Sequence, residues 1–138
     1  MSNTRGDASL YRAGAKYPGP ELGLYSTAAD LFHFYQMLAN GGTFGGKRYL
    51  SRQSIAAMSQ DFTPDHSGYG LTVSLSLGPA SLLNLLSPGT FGHGGAFGTG
   101  GWVDPKNELV MIFLAQMNDG AAERARIAFC QIAESAVQ

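Results

Sequence analysis

The sequence predicts an α+β fold: an antiparallel sheet of about three strands with flanking helices. Three observations lead there. A helix with recognisable caps begins near residue 27, strand-length apolar runs alternate with turn residues through the middle, and a helical period returns after residue 120. At 138 residues the chain has room for one domain. Residues 1–20, which hold Gly14, Pro18, Gly19 and Pro20 and show no period, read as an irregular lead-in to a region covering 21–138.

Thr27-Ala28-Ala29-Asp30 fits a capping box, with the Thr27 hydroxyl taking the third helical amide and Asp30 reaching back to the cap amide. Leu31, Phe34, Tyr35 and Leu38 then form one apolar stripe, and Gly41-Gly42 ends the helix by accepting left-handed backbone. Ser51 can cap a second, short helix that buries Ile55 and Met58 and stops before Pro64.

A strand over 69–77 follows, with Tyr69, Leu71, Val73, Leu75 and Leu77 alternating against Gly70, Thr72, Ser74 and Ser76 until Pro79 stops it. Residues 80–88 fit a helical turn or a loop equally well. Residues 91–103 read as one extended, glycine-rich strand. Asp104-Pro105-Lys106-Asn107 is a turn: Pro105 presets the first central φ, and Asn107 tolerates left-handed backbone. The unbroken apolar run 109–114 predicts a central strand covered on both faces. Asn118-Asp119-Gly120 can cap the last helix, with Ala125, Ala128, Phe129, Ile132 and Ala136 on the buried face and Glu123, Arg124, Arg126 and Glu134 mostly outside it.

Composition narrows the function. A net charge of −1 without a basic block disfavours nucleic acid and anionic membranes, which need clustered Lys and Arg. The N-terminal thirty residues lack the apolar core of a secretory signal, and no apolar stretch approaches the roughly 20 residues that span a bilayer. The expected setting is therefore cytoplasmic. The histidines His33, His66 and His93 have no ligand spacing, so neither metal nor cofactor is expected. Gly46-Lys47-Arg48 lacks the spacing of a phosphate loop. Cys130 reads as a packing residue, and Trp102 as cover for the sheet or a stacking platform for a ligand.

The chemistry concentrates in Phe91-Gly92-His93-Gly94-Gly95-Ala96-Phe97-Gly98, followed by Trp102-Val103-Asp104-Pro105. Glycines inside a strand mark a bulge or a backbone that something approaches closely. A histidine among them, next to accessible backbone N–H groups, suits acyl transfer. A twisted hairpin with an incidental histidine reads equally well from these residues alone.

Taken in order, Gly23-Leu24-Tyr25-Ser26-Thr27-Ala28-Ala29-Asp30-Leu31, Asn40-Gly41-Gly42, Gly46-Lys47-Arg48-Tyr49-Leu50-Ser51, Tyr69-Gly70-Leu71 and the His93 segment resemble the second half of the serine β-lactamase-related family. That family includes class C β-lactamases, penicillin-binding proteins, D-alanyl-D-alanine carboxypeptidases and esterases, and the resemblance covers residues 20–117. Its site combines Ser-x-x-Lys, Tyr-x-Asn and Lys-Thr-Gly or His-x-Gly. The resemblance implies that His93 stands beside the nucleophile and that the Ala96 amide is one oxyanion donor. Gly94, Gly95 and Phe97 would line the substrate groove.

The other two elements are not in this sequence. No serine is followed three residues later by lysine, and no tyrosine two later by asparagine. The expectation is a C-terminal fragment that is catalytically inactive alone. It would be a homo-oligomer, or would meet a partner that supplies the missing N-terminal half, because strands normally completing the sheet are absent. Two alternatives remain: a repurposed module that binds a small-molecule ligand or a protein, and a gene fragment without selected function.

Overall fold

The computed structural model describes residues 24–76, 86–117 and 120–137. The expected lead-in at 1–20, the stop at Pro79, most of the ambiguous stretch 80–88, and Asn118 and Asp119 of the last cap lie outside the described residues. The order is α1 (Ala28–Ala39), β1 (Thr43–Phe44), β2 (Lys47–Arg48), α2 (Arg52–Met58), β3 (Ser74–Leu75), β4 (Phe91–Gly94), β5 (Gly100–Asp104), β6 (Leu109–Phe113) and α3 (Gly120–Ser135). The fold is α+β, with a four-stranded antiparallel sheet in the order β3-β4-β5-β6 and a separate two-stranded hairpin. About three strands were expected, and the difference has two sources.

The first is the glycine-rich segment. Residues 91–103 are a hairpin, β4 and β5, rather than one strand. The Gly98 amide donates to the Gly95 carbonyl at 3.0 Å and the Gly95 amide to Thr99 at 2.8 Å. Gly98 has φ +85° while Ala96 and Phe97 keep negative φ. That is a type I turn over 95–98 closed by a left-handed glycine, a common three-residue hairpin loop. The second is Gly45-Gly46, both at positive φ, which joins β1 to β2 as a two-residue turn that the sequence reading overlooked.

Local capping comes out close to expectation. Thr27 accepts from the Asp30 amide at 3.2 Å, although the Asp30 carboxylate takes the Thr27 hydroxyl rather than the cap amide. At the other end Gly42 donates to the Met37 carbonyl and Gly41 to Leu38, a Schellman closure. A side chain at Gly42 would collide with the Leu50 carbonyl. Ser51 caps α2 through the Ser54 amide at 2.9 Å, and Ile55 is buried.

Among the described residues, which end at Ser76 here, the expected strand 69–77 survives as β3 and an isolated Tyr69–Ser74 bridge. Between them the chain makes a tight turn, with the Gly70 amide on the Val73 carbonyl and Thr72 at φ +74°. Gly70 lies against the Met58 carbonyl, where no side chain fits, so the alternating pattern is interrupted by a turn.

The helices cover opposite faces of the sheet. α1 packs across β5 and β6, with the Tyr35 ring over Gly101. Met37, Leu38, Ile55, Val73, Phe91 and Val103 form the core on that side. Each such side chain taken fully from water contributes about 1.5–3 kcal/mol. On the other face α3 places Ala122 against Gly98, Phe129 against Phe113 and Arg126 against Gly94 and Gly100.

Two further expectations are corrected here. β6 has both faces covered, but among the described residues it is the edge of the sheet rather than a central strand: an apolar run reports what covers the faces, not which strands pair alongside. In α3 the buried residues are Ala122, Cys130 and Glu134, whereas Ala125, Ala128, Ile132 and Ala136 are exposed. The helix is rotated from its apolar stripe because its inner face meets glycines and a polar turn.

That polar turn follows β5. Asp104 is 0% exposed, and its carboxylate accepts the Lys106 and Asn107 amides at 2.8 and 3.3 Å. The left-handed residue is Glu108, at φ +53°, not Asn107. Asn107 instead turns its side-chain amide inward, reaching Asp104 at 2.8 Å, Glu134 of α3 at 3.0 Å and Ser87 at 3.1 Å. Burial raises the Asp104 carboxyl, but hydrogen bonds from Ser87 and the two backbone amides outweigh it and hold it low. Burial, with the Asp104 charge added, raises Glu134.

Candidate active site

At the opposite end of the β4–β5 hairpin lies an open groove of about 580 Å³. His93, Gly94, Gly95 and Ala96 form one wall, and Glu123 and Arg126 of α3 form the other. The structure thus brings four of the five expected site residues together. Phe97 is not in the lining; its carbonyl accepts the Met117 amide at 3.0 Å and ties the turn to the segment after β6.

Glycine makes this wall thin. A side chain at Gly94 or Gly100 would run into the Arg126 guanidinium or its methylene stem, and one at Gly95 into the Thr99 hydroxyl. Arg126 lies along the strip with its side chain largely buried and donates to the Thr99 carbonyl at 3.1 Å. Its ion pair with Glu123, at 3.7 Å, contributes little because Glu123 is mostly in solvent. The Ala96 amide, first central residue of the turn, makes no hydrogen bond among the described residues. An accessible, unpaired N–H is what stabilisation of a developing oxyanion requires.

His93 is exposed, and both its ring nitrogens are engaged. Nδ1 contacts the Gly94 carbonyl, and Nε2 lies 3.0 Å from the Tyr69 hydroxyl. The sequence reading placed Tyr69 on a strand face and gave it no role; its contact with His93 depends on the turn at 70–73.

The remaining candidates take structural places. The Trp102 ring spreads over Gly92 and covers the sheet. Burial pushes the Cys130 thiol up to about 11, so it packs as an apolar group. His33 rests on Phe44, with ring centroids 4.8 Å apart, and His66 lies in an exposed loop. That loop is organised by Asp61, whose carboxylate takes the Thr63 hydroxyl and the Thr63 and Gly68 amides and is thereby lowered to about 2. No cluster of three or more metal-ligating side chains occurs among the described residues.

Comparison with known proteins decides the family. The family model described as Beta-lactamase matches residues 2–131. The chain belongs to the beta-lactamase family. Protein Rv1367c of Mycobacterium tuberculosis is 37% identical over 111 residues, covering 68% of this chain and 28% of its own. A putative D-alanyl-D-alanine carboxypeptidase of Salmonella typhi is 30% identical over 96 residues, covering 67% of this chain and 22% of its own. Among solved structures, a beta-lactamase from Mycobacterium bovis superposes with a TM-score of 0.62 at 26% identity, over 80% of this chain and 43% of its own. Simvastatin synthase from Aspergillus terreus shares the fold, with a TM-score of 0.59 at 17% identity, over 75% of this chain and 32% of its own. The match to the tuberculosis protein thus spans little more than a quarter of that relative. No helix among the described residues is long and apolar enough to cross a membrane.

Proposed function

We propose that this chain supplies the His-Gly-Gly wall and one oxyanion donor of a serine hydrolase site, and is catalytically silent by itself. The unpaired Ala96 amide beside His93 carries this reading. Among the described residues that line the groove none is a serine, lysine or tyrosine, and the sequence has no Ser-x-x-Lys. An oxyanion donor without nucleophile and base lowers a barrier that nothing in the groove begins to climb.

Turnover would need a serine from outside the groove, contributed by further chain or by a partner. Among the described residues β6 has no strand on its outer edge, which supports that arrangement, since such an edge can be completed by another segment or by a second copy of this chain. The relatives' names point to β-lactams or D-Ala-D-Ala peptides as the substrate class, and the family resemblance adds small esters. The alternative, a module that binds a small molecule without reacting, is favoured by the size of a groove that holds no nucleophile.

Intact mass after incubation with a fluorescent penicillin and, separately, a fluorophosphonate tests the proposal. No adduct on folded protein is expected. One adduct mapping to a single serine would overturn it. Ligand-induced stabilisation without an adduct would support the binding module.

A further inference from the structure

β3 pairs with β4 at Leu75–Phe91 and Ser74–Gly92, so among the described residues the outer edge of β4 has no strand partner from His93 onward. The side chain of Tyr69 occupies that place. Its ring stands edge-on to the imidazole, with centroids 6.0 Å apart and planes at 88°, and its hydroxyl meets Nε2 at 3.0 Å.

The chemistry of the two contacts fixes the proton. A backbone carbonyl can only accept, so the nitrogen on Gly94 must carry hydrogen: Nδ1 is N–H. In the neutral ring Nε2 is then the acceptor, and the Tyr69 hydroxyl donates to it. We infer that Tyr69 is a positioning residue for His93, holding the imidazole across the open edge of β4 as its Nδ1–H tautomer.

Two consequences follow. His93 cannot take a proton from a ligand at Nε2 without displacing the Tyr69 hydroxyl, so the resting ring orients groups rather than acting as a ready base. The Tyr69 oxygen, its hydrogen committed, presents lone pairs and suits a ligand N–H or O–H. This second consequence rests on the half-site reading; the tautomer does not. The turn at 70–73 gains a purpose as well, since a straight strand through 69–77 would send Tyr69 along the sheet face rather than over its edge.

Long-range proton–nitrogen correlation on the ¹⁵N-labelled full chain, above the histidine titration range, tests the inference. Wild-type His93 is expected to show a pyrrole-type Nδ1 and a pyridine-type Nε2. Y69F, which removes only the hydroxyl, should move the Nε2 resonance and weaken the Nδ1–H preference. A wild-type Nε2–H tautomer, or ring nitrogens unchanged by Y69F in a folded protein, overturns it. If Y69F does not fold, the wild-type spectrum alone decides. A penicillin adduct would sink the silent half-site and leave this result untouched, so the two failures are distinguishable.

Discussion

The two ends of the β4–β5 hairpin are both polar, and they use polarity in opposite ways. At one end Asp104, Ser87 and Glu134 are withdrawn from solvent, and the half-buried Asn107 turns its side-chain amide toward all three. At the other, His93 and Ala96 face an open groove and the Ala96 amide has no partner among the described residues. Burial explains the difference. Buried polar groups are mostly paired within the protein. Here the Asn107 amide joins Asp104 to Glu134 Oε2, leaving only Glu134 Oε1 of that pair without a hydrogen bond, so the first end is a clamp between the β5–β6 turn and α3. An exposed polar group has water as partner and can exchange it for a ligand, so the second end is where binding can occur.

The largest expected effect is at the clamp. Asn107→Ala removes the one side-chain amide shared by two buried carboxylates and leaves them facing each other. Loss of about 3 kcal/mol is expected in urea unfolding, within the range for uncompensating a buried charge. A loss below about 0.5 kcal/mol would mean that water already reaches the cluster, and the contrast between the ends would collapse.

Next comes the turn at the open end. Gly98→Ala puts a methyl 2.4 Å from the Ala122 Cβ, at a residue whose φ is +85°. Strain and crowding together should cost about 2 kcal/mol. Gly45→Ala, also at positive φ but with nothing within 4 Å, should cost roughly half as much and separates backbone strain from collision. Equal losses would show that α3 does not bear on the turn.

These two regions also mark how far the sequence could be read. The caps at Thr27 and Ser51 and the Gly41-Gly42 closure are local chemistry, and they stand as read except that Asp30 accepts from the Thr27 hydroxyl instead of the cap amide. The wall from His93 to Ala96 was identifiable from ordered motifs, which also named Phe97, a residue outside the lining, and did not name Glu123 and Arg126 of the opposite wall. The rotation of α3 was not legible, because its inner face is set by partners distant in sequence: Gly94 and Gly100 for Arg126, and Asn107 for Glu134. Hydropathy alone favoured the alanine and isoleucine stripe that turns outward. The edge position of β6 was hidden for a different reason, since side-chain pattern carries no information about backbone pairing. Tyr69 was missed because strict alternation concealed a turn.

A smaller effect tests the charge state of the clamp. Glu134 is raised, so its proton is held more tightly in the folded than in the unfolded protein. Its contribution is therefore full at low pH and is lost as pH rises from about 4.3, the ordinary value, through the raised one. Asp104 is lowered, so its contribution is present above the ordinary value and is lost as pH falls through the lowered one. Glu134→Gln keeps the neutral shape at every pH. It should therefore be more stable than wild type at pH 8 by on the order of 1 kcal/mol, about one hydrogen bond, with the difference closing toward pH 4. Thermal melts across that range check it, and a pH-independent difference would mean that Glu134 is not the titrating partner.

The smallest expected effect on stability is also the one that best separates structure from function. Ala96 is the first central residue of a type I turn, the position where proline is most at home, and its amide makes no bond among the described residues. Gly95 before it has no positive φ to lose. Ala96→Pro should therefore leave urea stability unchanged or raise it by up to about 1 kcal/mol, because it restricts only the unfolded chain. The same substitution deletes the proposed oxyanion donor outright. Where a separately expressed nucleophile-bearing half restores acylation, Ala96→Pro should lower its rate by about 10²–10³-fold, the usual cost of losing one such donor. A proline variant that unfolds easily would show that the amide has a structural duty after all. One that keeps both stability and restored acylation would move the oxyanion donor elsewhere, leaving the glycine wall as a binding surface alone.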